Sequence, residues 1–299
     1  MDTSFIHGVI PPIITPTDAD ERVEEQGLRR VVDHVIEGGV HGILALGSNG
    51  EFFSLAADEQ ERAIALTVQH AKGRVPVYMG IGAIATKECI RLARIAERHK
   101  AQAITVLPPM FIGLNEEELY QHFRAIADAT SLPMLIYNNP DRLQMNVSAK
   151  LLERIADVPN IVGVKDSSGD LALTAEYILR TRDKGFKVMA GRDLLILATL
   201  AYGGVGCVAT TANMAPQLVV SIYDKYRAGD LNGAREAQFK LAPLRLAFNL
   251  GSFPAMTKDA MNLMGFNVGS LIKPITSCSE DNLAKLRKIL QDAGATVKN

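Results

Sequence analysis

The sequence predicts an α/β fold, a closed (β/α)8 barrel with a C-terminal helical extension. Three observations support this prediction. Short apolar strands alternate with helix-length amphipathic segments, about eight such strands can be counted in 299 residues, and the strand pattern disappears after about residue 226. This alternation implies right-handed parallel crossovers. A doubly wound open sheet is the alternative, because periodicity alone does not prove that the sheet closes.

The candidate strands are short runs rich in apolar residues, each followed by a loop rich in Gly, Pro or Asn. They are residues 9–14, 42–46, 75–79, 103–107, 134–137, 161–164, 187–190 and 206–209. Eight strands and a chain of this length favour a closed barrel over an open sheet.

In the segments between these strands, apolar residues recur at spacings of three and four, which is typical of amphipathic helices. In the first segment, residues 28–36, the pair Gly38-Gly39 ends the pattern as a helix C-cap would. The other predicted helices of the barrel are residues 59–71, 87–99, 116–129, 149–155, 172–181 and 194–202.

Three more helices are predicted beyond the barrel, at residues 230–248, 256–264 and 281–293. Ser279 is the candidate N-cap of the last one. No linker rich in Pro, Gly or Ser separates these helices from the strands. We therefore divide the chain into a catalytic barrel of residues 1–225 and a helical extension of residues 226–299.

The composition narrows the function classes. With 47% hydrophobic residues and a formal net charge of −1, the chain has no basic excess that would attract nucleic acid. Without a leader pattern or an apolar run of about 18 residues, we expect a cytoplasmic protein with no membrane span. Cys89, Cys207 and Cys278 are widely spaced, which indicates structural thiols. The six histidines are never paired at metal-ligand spacing, so neither a metal nor another cofactor is expected.

Lys165 ends the apolar run Ile-Val-Gly-Val that begins at Ile161. In a (β/α)8 barrel the carboxyl ends of the strands carry the active site. Burial disfavours the ammonium form of an amine, and an uncharged amine condenses with a ketone to an imine that acidifies the neighbouring carbon. Lys165 is therefore a candidate Schiff-base nucleophile. A strand-end lysine that reaches solvent or pairs with Asp166 is the alternative.

Other polar residues are expected at the same end of the barrel. Tyr137 ends the strand of residues 134–137, and its phenol could transfer protons to and from reaction intermediates. The loop Gly47-Ser48-Asn49-Gly50-Glu51 follows another strand, and its amides with the Ser48 hydroxyl could hold a carboxylate. An ordinary strand-end tyrosine and an ordinary glycine-rich loop are the alternatives. Thr15, Gly191, Arg192, Thr210 and Thr211 complete this edge.

Four motifs, in order along nearly the entire chain, resemble those of the dihydrodipicolinate synthase / N-acetylneuraminate lyase family of pyruvate-dependent class I aldolases. They are Thr15-Pro16, Gly47-Ser48-Asn49-Gly50-Glu51, Tyr137-Asn138-x-Pro140 and Gly163-Val164-Lys165-Asp166. The resemblance implies a TIM barrel, a homotetramer built as a dimer of dimers, and the following site residues: Lys165 for the Schiff base, Tyr137 for proton transfer, Ser48 and Asn49 for the pyruvate carboxylate, and Gly191 and Val208 for the backbone lining of the pocket.

The chain departs from the synthases of this family in one motif and resembles them in another. Met110-Phe111 stands where those synthases have two tyrosines, the second of which reaches into a neighbouring subunit and completes a hydroxyl relay. Neither side chain here can relay a proton, which weakens the synthase interpretation. Arg142 matches the arginine that grips the carboxylate of aspartate semialdehyde, although a solvated loop arginine is the alternative.

The positions at which such synthases bind lysine as a feedback inhibitor also differ. This chain has Ala57, Gln60 and Ile84 there, and only Glu88 matches. The resemblance therefore implies that lysine does not inhibit this protein.

Together, these observations predict a metal-independent lyase that forms an imine between Lys165 and pyruvate or another 2-keto acid. The expected reaction makes or breaks a carbon–carbon bond at pyruvate C3, with a 2-keto-3-deoxy acid or a 4-hydroxy-2-oxoglutarate-like substrate. The alternatives are 4-hydroxy-tetrahydrodipicolinate synthase, an imine-using dehydratase or hydratase-aldolase, and a non-catalytic barrel that binds a keto acid.

Overall fold

The protein is described by a computed structural model that covers residues 1–298. Eight parallel strands form one sheet in the order β1-β8-β7-β6-β5-β4-β3-β2. They are β1 (Gly8–Val9), β2 (Ile43–Ala45), β3 (Val77–Ile81), β4 (Ala103–Val106), β5 (Met134–Asn138), β6 (Ile161–Asp166), β7 (Lys187–Ala190) and β8 (Gly206–Cys207).

A parallel bridge between Pro12 and Leu44 joins the segment after β1 to β2, at the other end of the strand order. The Leu44 amide donates a hydrogen bond of 2.9 Å to the Pro11 carbonyl. The sheet therefore closes, which confirms the predicted barrel. The open-sheet alternative is wrong.

Seven of the eight strands differ from the prediction at one end or both, and β1 differs most. The strand predicted at residues 9–14 is regular only over β1, because Pro11 and Pro12 have no N–H to donate to a neighbouring strand. Similarly, β3 starts after Pro76 rather than at residue 75. β6 continues two residues beyond its predicted end, so Lys165 lies within this strand, in register with Tyr137 on β5.

Alternate side chains of the strands fill the inside of the barrel, as the two-residue period of a strand requires. On β2, for example, Leu44 belongs to an inner cluster, whereas Ile43 and Ala45 pack in the layer between the strands and the helices. The inner cluster consists of Ile6, Ile10, Leu44, Tyr78, Ala103, Leu135, Met189 and Val208.

The helices predicted within the barrel are present, and most of their ends lie within three residues of the prediction. The helices up to β8 are α1 (Glu25–Glu37), α2 (Ala57–Ala71), α3 (Thr86–Arg98), α4 (Glu116–Ala127), α5 (Pro140–Leu143), α6 (Ala149–Ile155), α7 (Leu171–Thr181) and α8 (Ile196–Ala201). The short α5 was not predicted, and α8 is preceded by a 3-10 turn at Asp193–Leu195.

Beyond β8 lie α9 (Pro216–Arg227), α10 (Leu231–Leu246), α11 (Ala255–Leu263) and α12 (Glu280–Asp292). Helix α9 was not predicted, although a proline at the first helical position is a known start signal. Ser279 caps α12 by accepting from the Asn282 amide, as predicted. The division of the chain at residue 225 stays a prediction. Within residues 1–298, no helix combines the length and the apolar character needed to cross a bilayer.

α10 is anchored to the barrel by apolar and polar contacts. Leu241 and Leu244 are fully buried in the main core. The Gln238 side chain donates to the Asp193 carbonyl over 2.9 Å and accepts from the Leu197 amide over 3.1 Å. The extension is therefore fixed beside the loop that follows β7.

His122 on α4 is expected to make the stability of the folded protein depend on pH. It is buried, its Nδ1 lies 2.9 Å from Thr86 Oγ1, and its Nε2 has no partner in residues 1–298. Burial lowers the pKa of His122 to about 4. Below about pH 6.5 the unfolded chain therefore takes up a proton that the folded chain does not, and stability is lost as the pH falls toward 4.

We expect His122→Phe to remove about 2 kcal/mol of the loss in unfolding free energy between pH 7 and pH 5. Urea unfolding of both proteins at the two pH values measures this difference. Because only the change with pH is compared, an effect of the new ring on packing cancels. Equal losses in the two proteins would contradict the prediction.

Candidate active site

Lys165 lies near the end of β6 with only 3% of its surface exposed. Its Nζ is 3.7 Å from the centre of the Tyr137 ring, which neighbours it in register on β5. No carboxylate in residues 1–298 lies within ion-pair distance of this amine. The strand pairing thus brings the two main predicted residues into contact.

Asp166, the next residue, does not pair with Lys165. Its buried carboxylate accepts hydrogen bonds from Asn138 Nδ2 at 3.1 Å, Thr174 Oγ1 at 2.5 Å and the Ser168 amide at 3.0 Å. These bonds turn the Asp166 carboxylate toward β5 and α7. The two alternatives for Lys165, exposure to solvent and a pair with Asp166, are both wrong.

Tyr137 is buried, and its hydroxyl accepts a hydrogen bond of 3.0 Å from Asn139 Nδ2. Burial raises the pKa of Tyr137, but the positive charge of Lys165 and polar contacts with Ser48, Lys165 and Ser167 outweigh it. The pKa of Tyr137 is therefore lowered from its usual value. A phenol whose pKa lies closer to neutrality is a better proton donor and acceptor in catalysis.

The glycine-rich loop after β2 folds into a 3-10 turn, Ser48–Gly50. Asn49 is buried, and its Nδ2 donates to Thr210 Oγ1 over 2.8 Å. Thr15 Oγ1 donates to the Gly50 carbonyl over 2.8 Å, and a Cβ on Gly50 would stand only 2.9 Å from that hydroxyl. Thr15 therefore stabilises this turn through its contacts with Gly50.

A cavity of about 240 Å³ opens at this end of the barrel. The predicted residues that line it are Asn49, Tyr137, Arg142, Lys165, Gly191, Arg192 and Thr210, and Ser48 is not among them. Val208 is not among the lining residues, since its side chain belongs to the inner cluster. The lining residues that were not predicted from the sequence are Asn139, Asp141, Ser167, Asp193, Arg245, Phe248, Asn249 and Phe253.

Ser167 could have been found, because it follows Lys165 by two residues at a strand end. Its buried hydroxyl lies beside the Tyr137 hydroxyl and forms no hydrogen bond of normal geometry in residues 1–298. A Cβ on Gly191 would lie 2.1 Å from this hydroxyl, so a glycine is required there. The Ser167 hydroxyl is thus free to bind a substrate oxygen.

Glu51, the last residue of the loop motif, does not line the cavity. Its carboxylate forms a fully buried ion pair of 2.8 Å with Lys258 on α11, and it also accepts from the Ile272 amide over 2.8 Å. Lys258 Nζ donates to Thr17 Oγ1 over 2.9 Å. Burial lowers the pKa of Lys258, and the charge of Glu51 opposes this shift only in part. The pair ties the loop to the extension.

The model of the Dihydrodipicolinate synthetase family matches residues 5–293. The chain belongs to this family. A 4-hydroxy-tetrahydrodipicolinate synthase of Methanoculleus marisnigri is 36% identical over 292 residues, which cover 97% of this chain and 100% of that protein.

Solved structures of members of the dihydrodipicolinate synthetase family are also similar. Dihydrodipicolinate synthase from Thermotoga maritima has a TM-score of 0.94 at 32% identity and covers 97% of this chain and 99% of its own. A prophage protein of the family from E. coli K12, solved in complex with pyruvate, has a TM-score of 0.93 at 30% identity with the same coverage. As a member of this family, the protein is an enzyme, a lyase of the class I aldolase type.

Proposed function

We propose that the protein forms an imine between Lys165 and a 2-oxo acid and makes or breaks the bond at C3 of the pyruvate unit. The proposed substrate is a 4-hydroxy-2-oxoglutarate-like acid or a 2-keto-3-deoxy acid. The observation that carries the proposal is the buried Lys165 amine, which stands against the Tyr137 ring and has no carboxylate beside it.

Each of the proposed site residues has a separate role in the reaction. The uncharged Lys165 amine adds to C2 of the 2-oxo acid, and Tyr137 protonates the resulting hydroxyl so that it leaves as water. In the cleavage direction the iminium accepts the electron pair of the C3–C4 bond as an aldehyde forms from C4, and Tyr137 takes the proton of the C4 hydroxyl. Protonation at C3 and hydrolysis then release pyruvate. Ser48 and Asn49 hold the carboxylate of the pyruvate unit.

A second candidate is 4-hydroxy-tetrahydrodipicolinate synthase, which condenses pyruvate with aspartate semialdehyde. The name of the Methanoculleus marisnigri relative and the position of Arg142 on the cavity wall support it. Met110 and Phe111 argue against the synthase, because neither side chain has a hydroxyl that could relay a proton. A dehydratase or a hydratase-aldolase would use the same imine, and no specific contact favours either. Since the chain is an enzyme, we set the non-catalytic alternative aside.

One experiment tests the imine, and a second separates the candidates. Incubation with pyruvate followed by borohydride should add a reduced pyruvate to Lys165, as seen by intact mass and peptide mapping. Pyruvate release from 4-hydroxy-2-oxoglutarate is then compared with condensation of pyruvate and aspartate semialdehyde. No adduct with pyruvate would overturn the proposal, and faster condensation would favour the synthase.

We also propose that the protein self-associates, consistent with the expected homotetramer. The loops after the neighbouring strands β2, β3 and β4 carry exposed apolar side chains at the same end of the barrel, namely Phe53, Ile84, Phe111 and Ile112. Phe111 is 95% exposed and has a φ of +72°, which is rare for a bulky residue. An apolar surface of this kind is typical of a protein interface, and a second copy of the chain is the proposed occupant.

We expect Phe111→Glu to shift the protein toward the 32.4 kDa monomer, because burying the new charge in an apolar interface is costly. Sedimentation velocity at micromolar concentration measures this shift. Tyr202→Glu is the control, since Tyr202 is exposed elsewhere on the barrel and should not change the mass. A wild-type protein that sediments as a monomer would rule out the proposed interface.

A further inference from the structure

Arg245, in the last turn of α10, lines the cavity that contains Lys165. The buried residues Leu241 and Leu244 on the same helix fix its backbone. Its guanidinium stacks on Phe248, with Cζ 4.6 Å from the ring centre. The C-terminal extension therefore contributes a positively charged side chain, fixed in position, to the cavity that contains Lys165.

The cavity wall carries more positive than negative charge. Its cationic side chains are Lys165, Arg142, Arg192 and Arg245, and its anionic side chains are Asp141 and Asp193. The surplus is two positive charges. An enzyme that binds only pyruvate would need to match a single negative charge, so the surplus indicates a substrate with a second anionic group.

Two of the arginines have no polar partner for their guanidinium. Arg192 bonds to the Asp141 carboxylate and, over 2.8 Å, to the Ser167 carbonyl. Within residues 1–298, the guanidinium groups of Arg142 and Arg245 donate no hydrogen bond and form no ion pair. Each instead faces an aromatic ring, Phe253 in the case of Arg142. A guanidinium on an aromatic face keeps the edge with its N–H donors available for a carboxylate.

The charges around Arg245 also favour the binding of an anion. Burial and the charges of Arg192 and Arg142 lower the pKa of Arg245, and the charge of Asp193 offsets this only in part. Asp193 is itself buried and already accepts from the Thr211 amide over 2.8 Å. An anion that joined Arg142 and Arg245 would relieve the repulsion between them.

We propose that Arg245 binds a second carboxylate of the substrate, at the end of the chain distant from the imine, and that the enzyme selects 2-oxo dicarboxylic acids. This inference rests on the proposed imine chemistry. An iminium keeps the charge of Lys165, so the surplus of two persists in the intermediate. The two negative charges of two carboxylates equal this surplus of positive charge, whereas the charge of a carboxylate together with a phosphate would exceed it.

The test uses two probes that differ only in the terminal group, 2-oxoglutarate and 2-oxopentanoate. Each is trapped on Lys165 with borohydride, and the concentration for half-maximal adduct is read from intact mass spectra. The variants are Arg245→Gln and a matched control, Arg235→Gln, on the exposed side of the same helix. Trapping of pyruvate by each variant reports whether the site is intact.

In the wild type we expect half-maximal trapping of 2-oxoglutarate at a concentration about ten- to a hundredfold below that of 2-oxopentanoate. Arg245→Gln should remove most of this preference, because it raises the half-maximal concentration of 2-oxoglutarate far more than those of 2-oxopentanoate and pyruvate. Arg235→Gln should behave as the wild type. Equal effects of Arg245→Gln on both probes, or no preference in the wild type, would overturn the inference.

Two further outcomes would overturn the carboxylate assignment and the imine chemistry, respectively. Stronger competition by inorganic phosphate than by acetate in the wild type, lost in Arg245→Gln, would mean that the subsite selects phosphate, and the assignment to a carboxylate would be wrong. No adduct with pyruvate in the wild type would overturn the proposed imine chemistry, and with it this inference.

Discussion

Replacement of Lys165 by methionine is expected to lower turnover by about four orders of magnitude or more, because the covalent intermediate cannot form without the amine. Methionine has similar length and suits the buried position of Lys165. The variant should therefore fold while failing to form a borohydride-stable adduct with pyruvate. Intact mass spectrometry and the rate of pyruvate release measure the two effects.

Tyr137→Phe provides the comparison for this prediction. It keeps the ring against Lys165 and removes only the hydroxyl, so the adduct should still form, but turnover should fall by about 10²- to 10⁴-fold. Lys187→Met, at the start of β7, is the control for loss of a lysine outside the cavity. An adduct that survives in Lys165→Met would mean that another amine carries the reaction.

Lys258→Met is expected to lower the free energy of unfolding by about 3–5 kcal/mol, because it leaves the Glu51 carboxylate buried without its partner. Both members of the pair are almost completely inaccessible to solvent. Two backbone or hydroxyl contacts, to Ile272 and Thr17, depend on the same two side chains. Urea unfolding monitored by circular dichroism measures the loss.

The double variant Glu51→Leu/Lys258→Met separates the ion pair from simple packing. Replacing both charges by apolar groups should recover much of the stability, because neither charge then remains buried alone. Glu51 directly follows the turn of Ser48–Gly50, which is proposed to hold the substrate carboxylate, so the double variant should still have a raised KM for the 2-oxo acid. A loss below about 1 kcal/mol in Lys258→Met would contradict this account.

The fold and the centre of the candidate site could be predicted because both depend on local patterns. Apolar runs followed by Gly, Pro or Asn mark the strand ends, and parallel strands in a barrel direct their carboxyl ends to one side. Lys165 and Tyr137 were found by this rule, and strand register then brings them into contact. Ser167 satisfies the same rule and was overlooked.

The rest of the site depends on contacts between distant parts of the chain. Glu51 and Lys258 are 207 residues apart, and the helical pattern around Lys258 does not indicate its partner. Arg245 lies on a helix whose apolar positions predict burial but not which side of the barrel it reaches. Periodicity identifies the face of a helix that packs, whereas the location of that face in the fold is a tertiary property.

The anchoring of α10 and α11 has a consequence for how this protein could be divided or recombined. A gene fragment that stops at residue 225 would encode all eight strands and both Lys165 and Tyr137. It would, however, lack Arg245 from the cavity wall and leave Glu51 without its counter-charge. The extension and the barrel therefore depend on each other, and we expect an exchange of the extension between relatives to alter substrate preference as well as stability.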